Sequence, residues 1–359
     1  MHRIDNNACG QAQSSNIFRS KSTRWRCSFF DMLNMRDCTI AIDDVPIDKR
    51  QHHLMGMLFV VFSIIFTALY IPCVIAVSRH MKDSSCYKLL FCIGVIDILN
   101  LPLVGFLTGY FAISGVMFCS CPTFLYFAGI YGNFFWVAES STAIILAANR
   151  CIEVISHHTA EILFKDNRTW KWMILTLTYA FCFVTFSKPI MFNGIFMAWF
   201  SNPHVGYIDD PNGETYGNFL HTFHNTTVAV ALSGLYLLFT IIFAVRTMLF
   251  AKTVGRRQNS AQKSAFIQVL FISFVNAFGA CIYDYMQFVR ISETLIMIGQ
   301  CCWLIAHGIP SVFFLFLNKT VRVECRMMLQ RSLNLYAMPT SQIGPISHKQ
   351  SSRTAENNF

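Results

Sequence analysis

The sequence predicts an all-α protein: a bundle of seven transmembrane helices, amino terminus extracellular, with a short amphipathic juxtamembrane helix after the last span. Three observations predict it. Hydrophobic residues make up 54% of the 359 positions and charged ones only 13%, whereas a soluble domain spends about 25% of its residues on charge. The apolar residues are gathered into blocks of membrane-crossing length, each bounded by charge, Pro or Asn. Lysine and arginine, finally, are spread unevenly over the loops between those blocks.

Taken in order, residues 1–53 form a polar tail of mixed charge with no sustained period, expected outside and largely disordered. Nothing in the first thirty residues makes an apolar core behind a basic start, so the first span is expected to act as its own insertion signal. The bundle, residues 54–317, comprises blocks from Leu54 to Val77, Leu89 to Ile113, Pro122 to Ala148, Trp172 to Met197, Phe223 to Phe250, Ala265 to Val289 and Thr294 to Leu317. At 1.5 Å rise per residue, a block of about 24 residues covers roughly 36 Å, enough for a bilayer core with some tilt.

Charge orients the bundle. Arg79, Lys82 and Lys88 lie in the first loop, Arg150, Lys165, Arg168 and Lys171 in the third, and Lys252, Arg256, Arg257 and Lys263 in the fifth. The second and fourth loops carry no Lys or Arg, and the sixth only Arg290. Odd loops are therefore expected in the cytoplasm, although eight Lys or Arg in residues 1–53 run against the trend. The net charge of +9 is thus accounted for by membrane topology and not by a nucleic-acid partner. Residues 318–359 are expected to be cytoplasmic. Within them Val321, Cys325, Met328 and Leu329 share one helical face and Lys319, Arg322 and Arg326 another, the pattern of a helix lying on the inner leaflet. Most of the fourteen cysteines fall in spans or on the reducing side; of those expected outside, Cys119 or Cys121 is within reason as a partner for Cys38, and unpaired thiols are the alternative.

Ionisable groups inside apolar blocks are costly unless they face protein or water, which makes them site candidates. Asp97 and Glu139 each lie nine residues from the cytoplasmic end of their spans, at one level roughly 13 Å deep. Two carboxylates so placed cannot both stay charged unless one is protonated or a cation lies between them. They are the expected polar switch; the alternative is two acids bonded to backbone or to Ser140 and Ser141. Lys188 and Asp284 stand near the outer ends of the fourth and sixth spans, and with Tyr131, Trp136, Tyr283 and Tyr285 they make a candidate ligand pocket, against the plainer reading of an interfacial belt. In "HTFHNTT", His221 and His224 have metal-compatible spacing without a third ligand, and Asn225 heads a glycosylation sequon; a polar outer loop explains both. No phosphate loop, nucleophile elbow or metalloprotease pair is present, so neither an enzyme nor a bound cofactor is expected.

Several stretches together resemble the nematode serpentine chemoreceptors of class T, within the general pattern of G-protein-coupled receptors. They include "CYKLLFCIGVIDILNLP" at 86–102, "GVMFCSCPTFLYFAGIYGNFFWVAESSTAIILAANRCIEV" at 115–154, "SKPIMFNG" at 187–194, "PHVGYIDDPNGETYGNFLHTFHN" at 203–225 and "AHGIPSVFFLFLNKTVR" at 306–322. The resemblance covers about residues 50–330. It implies a multi-pass plasma-membrane receptor for a small external chemical that signals to a heterotrimeric G protein. Arg150, at the cytoplasmic end of the third span, would then be a latch partnered by Asn149 and Glu153, Pro310 of the seventh span a further switch residue, and Arg150, Arg256, Arg257 and Lys263 the G-protein contacts. Asn149 replaces the usual acid before the arginine, and Ile309 and Phe313 replace the usual Asn and Tyr around Pro310. A ligand-gated cation channel with inverted topology and a transporter are the rival expectations.

Overall fold

A computed structural model describes residues 45–82, 84–207, 216–251, 260–288 and 292–337. The chain runs as a series of long helices that follow the seven apolar blocks. They are α1 (His53–Arg79), α2 (Ser85–Ser114), α3 (Pro122–Ile155), the short α4 (His157–Phe164), α5 (Arg168–Phe186), α6 (Phe219–Ala251), α7 (Ser260–Phe288) and α8 (Glu293–Leu317), followed by α9 (Lys319–Ala337). A hairpin of β1 (Met191–Asn193) and β2 (Ala198–Phe200) lies between α5 and α6.

Local chemistry sets the ends. Ser84, Ser156 and Ser292 cap α2, α4 and α8 by accepting backbone N–H bonds through their side chains, which satisfies donors that have no intrahelical partner. Pro122 opens α3, where its missing N–H costs nothing. Gly115 ends α2 in the left-handed conformation at φ 65°, a geometry that glycine adopts without a Cβ penalty. Inside α2, Pro102 coincides with a π-helical stretch, Pro102–Leu107. The carbonyls loosened there are met by Ser63, which donates to Leu101 at 2.9 Å, and by Thr108, which donates to Leu103 at 2.9 Å.

Among the described helices, α1, α2, the Phe219–Ile242 part of α6, and α8 are long and apolar enough to cross a membrane by length and composition. The centrally placed α3 is less apolar, and its surroundings explain why. It packs against α2, α5, α6 and α7 and buries Asn133, Glu139, Ser140, Thr142 and Asn149. A helix surrounded by other helices can carry polar groups that a lipid-facing helix such as α1 cannot.

The fourth block departs from expectation. Its apolar run reaches Met197 in the sequence, but α5 stops at Phe186. Pro189 pushes Lys188 out of helical geometry, and residues 191–200 turn back as the hairpin, paired Met191 to Phe200, Phe192 to Trp199 and Asn193 to Ala198. These residues are apolar because the hairpin is buried against the bundle end: Met191, Phe192, Met197 and Trp199 are almost wholly covered. Asn193 shapes the turn by accepting from the Phe196 N–H, an Asx-type bond. Trp199 donates to Thr108 Oγ1 at 2.9 Å, and His52 Nε2 meets the carbonyls of Gly194 and Ile195 at 3.2 and 2.9 Å. The strand enters so close to α3 that a Cβ on Gly129 would stand 1.6 Å from the Ile190 carbonyl oxygen.

Cys119, beside the hairpin, is disulfide-bonded while Cys121 and every other described cysteine are free thiols, so the partner falls outside the described residues. The expected disordered tail lies outside the described residues as far as 44; from Val45 the chain is placed, with a 3₁₀ turn at Ile47–Lys49. At the opposite end, α9 forms as the amphipathic pattern anticipates. Asn318 accepts from the Val321 N–H at its start, Val321 is buried, and Glu324 pairs with Arg79 of α1 at 2.8 Å.

Candidate functional site

Three features follow one another along α3. Nearest the hairpin is a cavity of about 400 Å³. Asn133 and Trp136 reach it from α3, His221 and Asn225 from α6, Gly279 and Tyr283 from α7, and Trp303 and Ala306 from α8, with Ile190 at the entrance to the hairpin closing one side. Spacings of three and four put each pair on one helical face. The walls are tied together: Trp136 Nε1 donates to Asn225 Oδ1 at 3.0 Å, Tyr283 donates to Gln300 at 3.1 Å, and Asn133 Nδ2 donates to the Lys188 carbonyl at 3.3 Å.

One turn deeper lies a polar layer. Asp97 is completely buried, accepting from the Tyr70 hydroxyl at 2.5 Å and bonded to His307 Nδ1 at 2.7 Å. The other ring nitrogen of His307 takes the Asn100 amide at 2.9 Å, so with Asn100 donating the ring proton sits on Nδ1 and is given to Asp97. Glu139, equally buried, accepts from Asn276 of α7 at 3.1 Å, and its second oxygen has no partner. His224 joins α3 to α5, meeting Ser140 at 3.0 Å and Tyr179 at 3.1 Å. Trp136 and Trp303 both stand edge-on to His307, at 6.5 and 6.3 Å between centroids. The rings that wall the cavity therefore also touch the polar layer.

At the far end of α3, Arg150 holds Asn149 Oδ1 through Nε at 3.1 Å and Nη2 at 2.6 Å, and pairs with Glu153 at 2.6 Å. Asn149 in turn donates to Ser85 of α2 at 3.1 Å. Arg150 also borders a second cavity of about 300 Å³ between α3, α6 and α7, walled by Tyr236, Phe239 and Leu270 among others.

The structure thus brings Asn149, Arg150 and Glu153 together and sets Asp97 and Glu139 in one buried layer, bonded to other helices instead of to Ser140 and Ser141. It divides the expected pocket. Trp136 and Tyr283 line the cavity, but Tyr131 and Tyr285 are 40% and 50% exposed on the outer surface, with the Tyr131 hydroxyl given to the Leu99 carbonyl. Asp284 lies on the seam with α6, accepting from Thr226 at 2.6 Å, and not on the cavity wall. Lys188 follows the end of α5, and its carbonyl, held by Asn133 and Asn218, is what reaches the site.

"HTFHNTT" is not a polar outer loop but part of the first turns of α6, whose inward face buries His221, His224 and Asn225; that burial also removes Asn225 as a glycosylation acceptor. Sequence reasoning missed Tyr70, Asn100, Asn276 and His307, whose common signal was a polar residue within an apolar run. Pro310 is buried inside α8. Arg256 and Arg257 lie outside the described residues, as does the side chain of Lys263. Beyond the spans, burial with Tyr216 nearby holds the Tyr207 phenol above its ordinary range, and burial raises the Cys121 thiol.

Comparison with known proteins fits this architecture. The chain is 26% identical over 245 residues to serpentine receptor class T-55 of Caenorhabditis elegans, a match covering 68% of this chain and 65% of that protein, so it spans a little under two thirds of the relative's length. The family model described as serpentine type 7TM GPCR chemoreceptor Srt matches residues 27–335. With that match across most of its length, the chain belongs to the serpentine type 7TM GPCR chemoreceptor family Srt, a family of multi-pass membrane proteins.

Proposed function

We propose that this protein is a chemosensory receptor of the plasma membrane that takes a small external chemical into the cavity beside the hairpin and passes the change to a heterotrimeric G protein at the Arg150 end. The observation that carries this reading is that α3, α6 and α7 wall both the cavity beside the hairpin and the one that Arg150 borders. Trp136 and Trp303 touch both the cavity and His307, and Glu139 is bonded to α7. A ligand wedged among these helices would favour one packing of α3 against α7 over another, and any such difference in affinity shifts the equilibrium between them. No covalent chemistry is required.

The orientation is supported from both ends. The disulfide of Cys119 lies at the hairpin end, and disulfides persist in oxidising compartments. The lysines and arginines described in the first and third loops lie at the other end, as those of cytoplasmic loops do. Asp97 and Glu139 would be the switch layer, Arg150 with Asn149 and Glu153 the latch, Pro310 a further switch residue, and Arg256, Arg257 and Lys263 further contacts for the G protein.

The test is expression of the full chain in a heterologous cell with a promiscuous G protein, challenged with a panel of volatile and soluble chemicals. A compound that evokes a response in the parent but not in Gly279→Leu, whose new side chain enters the cavity, supports the reading. A current that persists without G protein would favour a ligand-gated channel, and an epitope tag at the amino terminus reached only after permeabilisation would contradict the orientation.

A further inference from the structure

The chemistry of the cavity wall narrows what it accepts. Among the described residues its lining contains no Asp, Glu, Lys or Arg; Asp284 stands off the wall, bonded to Thr226 and Asn225. The nearest carboxylate along α3, Glu139, is three residues past Trp136 and is not part of the wall, which puts it roughly 4.5 Å deeper at 1.5 Å per residue. A charged ligand would therefore lose its hydration without a counter-charge on the described wall itself.

Two wall residues nevertheless carry buried polar atoms without a hydrogen-bond partner. Asn133 Oδ1 is one, an acceptor; Trp303 Nε1 is the other, a donor. Asn133 is 1% exposed and Trp303 5%. The orientation of the Asn133 amide is set by its Nδ2, which donates to the Lys188 carbonyl, so the free atom is the oxygen. Other polar groups of the wall are engaged with one another or nearby: Trp136 with Asn225, Asn225 with His221 Nδ1, and Tyr283 with Gln300. A buried donor or acceptor left unmet is costly. An acceptor from α3 and a donor from α8 in the lining of one cavity are matched by a ligand that both gives and takes a hydrogen bond. A ligand that reproduces both bonds replaces water there without loss.

We propose that the ligand is a small uncharged molecule, a hydrocarbon frame bearing a hydroxyl or a secondary amide, that donates to Asn133 Oδ1 and accepts from Trp303 Nε1–H. The space among the wall residues, about 400 Å³ counted together with its opening, limits the frame to one ring or a short chain. This inference rests on the receptor reading above, and its test separates the two.

The full chain is placed in lipid nanodiscs, and saturable binding is followed by thermal stabilisation with four compounds on one skeleton: cyclohexylmethanol, its methyl ether, the cyclohexylmethylammonium ion and cyclohexanecarboxylate. The alcohol is expected to bind at least about ten-fold more tightly than the ether, which accepts but cannot donate, and than either ion. Trp303→Phe, close in shape, is expected to lower the affinity of the alcohol about ten-fold while leaving the unliganded melting temperature near that of the parent. Gly279→Leu is expected to abolish binding.

If an ion binds more tightly than the alcohol and Gly279→Leu removes that binding, the ligand class is overturned and the cavity stands. An alcohol that binds no better than its ether overturns the class in the same way. Affinities unchanged by Gly279→Leu place the compounds elsewhere, and both the class and the cavity assignment fall.

Discussion

Asp97 and Glu139 sit in one buried layer, yet the helices hold them differently. Asp97 has both oxygens engaged, one by Tyr70 of α1 and one by His307 of α8, so it ties three helices together. Glu139 has one bond, to Asn276 of α7, and a bare second oxygen. A carboxylate clamped from two sides is an anchor, because any movement would leave buried donors unmet. A carboxylate with one partner and one free oxygen can change its bonding at lower cost. The α1–α2–α8 side of the layer therefore behaves as the fixed frame, and the α3–α7 side, which borders both cavities, as the part able to move.

The sharpest way to break this contrast is Asp97→Leu. It strands the Tyr70 hydroxyl and His307 and is expected to cost about 3–5 kcal/mol, as removal of one member of a buried pair does, seen as loss of surface delivery and a lowered melting temperature in detergent. Gly129→Val comes next. Its side chain must displace the hairpin strand at Ile190, at about 1–3 kcal/mol, read as a lowered melting temperature together with loss of any ligand stabilisation. Glu139→Gln keeps the bond to Asn276 and should cost no more than about 1 kcal/mol while changing basal signalling in a G-protein assay. A double variant, Asp97→Asn with Glu139→Gln, that signalled like the parent would remove the switch role of the layer. Arg150→Ala should be smaller still in stability, within about 1 kcal/mol for a partly exposed pair, yet should abolish signalling at normal surface density; undiminished signalling would reduce Arg150 to a topology charge.

How far the sequence reached depended on the distance between partners. Asn149, Arg150 and Glu153 are one and three residues apart on a helix, so their association follows from helical geometry alone. The common depth of Asp97 and Glu139 followed from counting residues at a fixed rise. Their actual partners did not follow: His307 is 210 positions from Asp97, and Asn276 is 137 from Glu139. The fourth block was overextended because a hairpin buried against the bundle is as apolar as a span, and Pro189 was the local mark of the break. Tyr131 and Tyr285 were assigned to a pocket because depth was legible but facing was not.

Sequence alone determined the order of the apolar blocks, their prolines, the asymmetry of basic loops and the local contacts of Arg150, since each depends on neighbours within a turn or on transfer from water to lipid. Which polar residues meet, where the chain leaves a cavity, and which carboxylate is clamped or loose were decided by the packing of helices distant in the chain. A helix shows its period in its sequence, but the rotation that chooses its inward face is set by the neighbours it packs against.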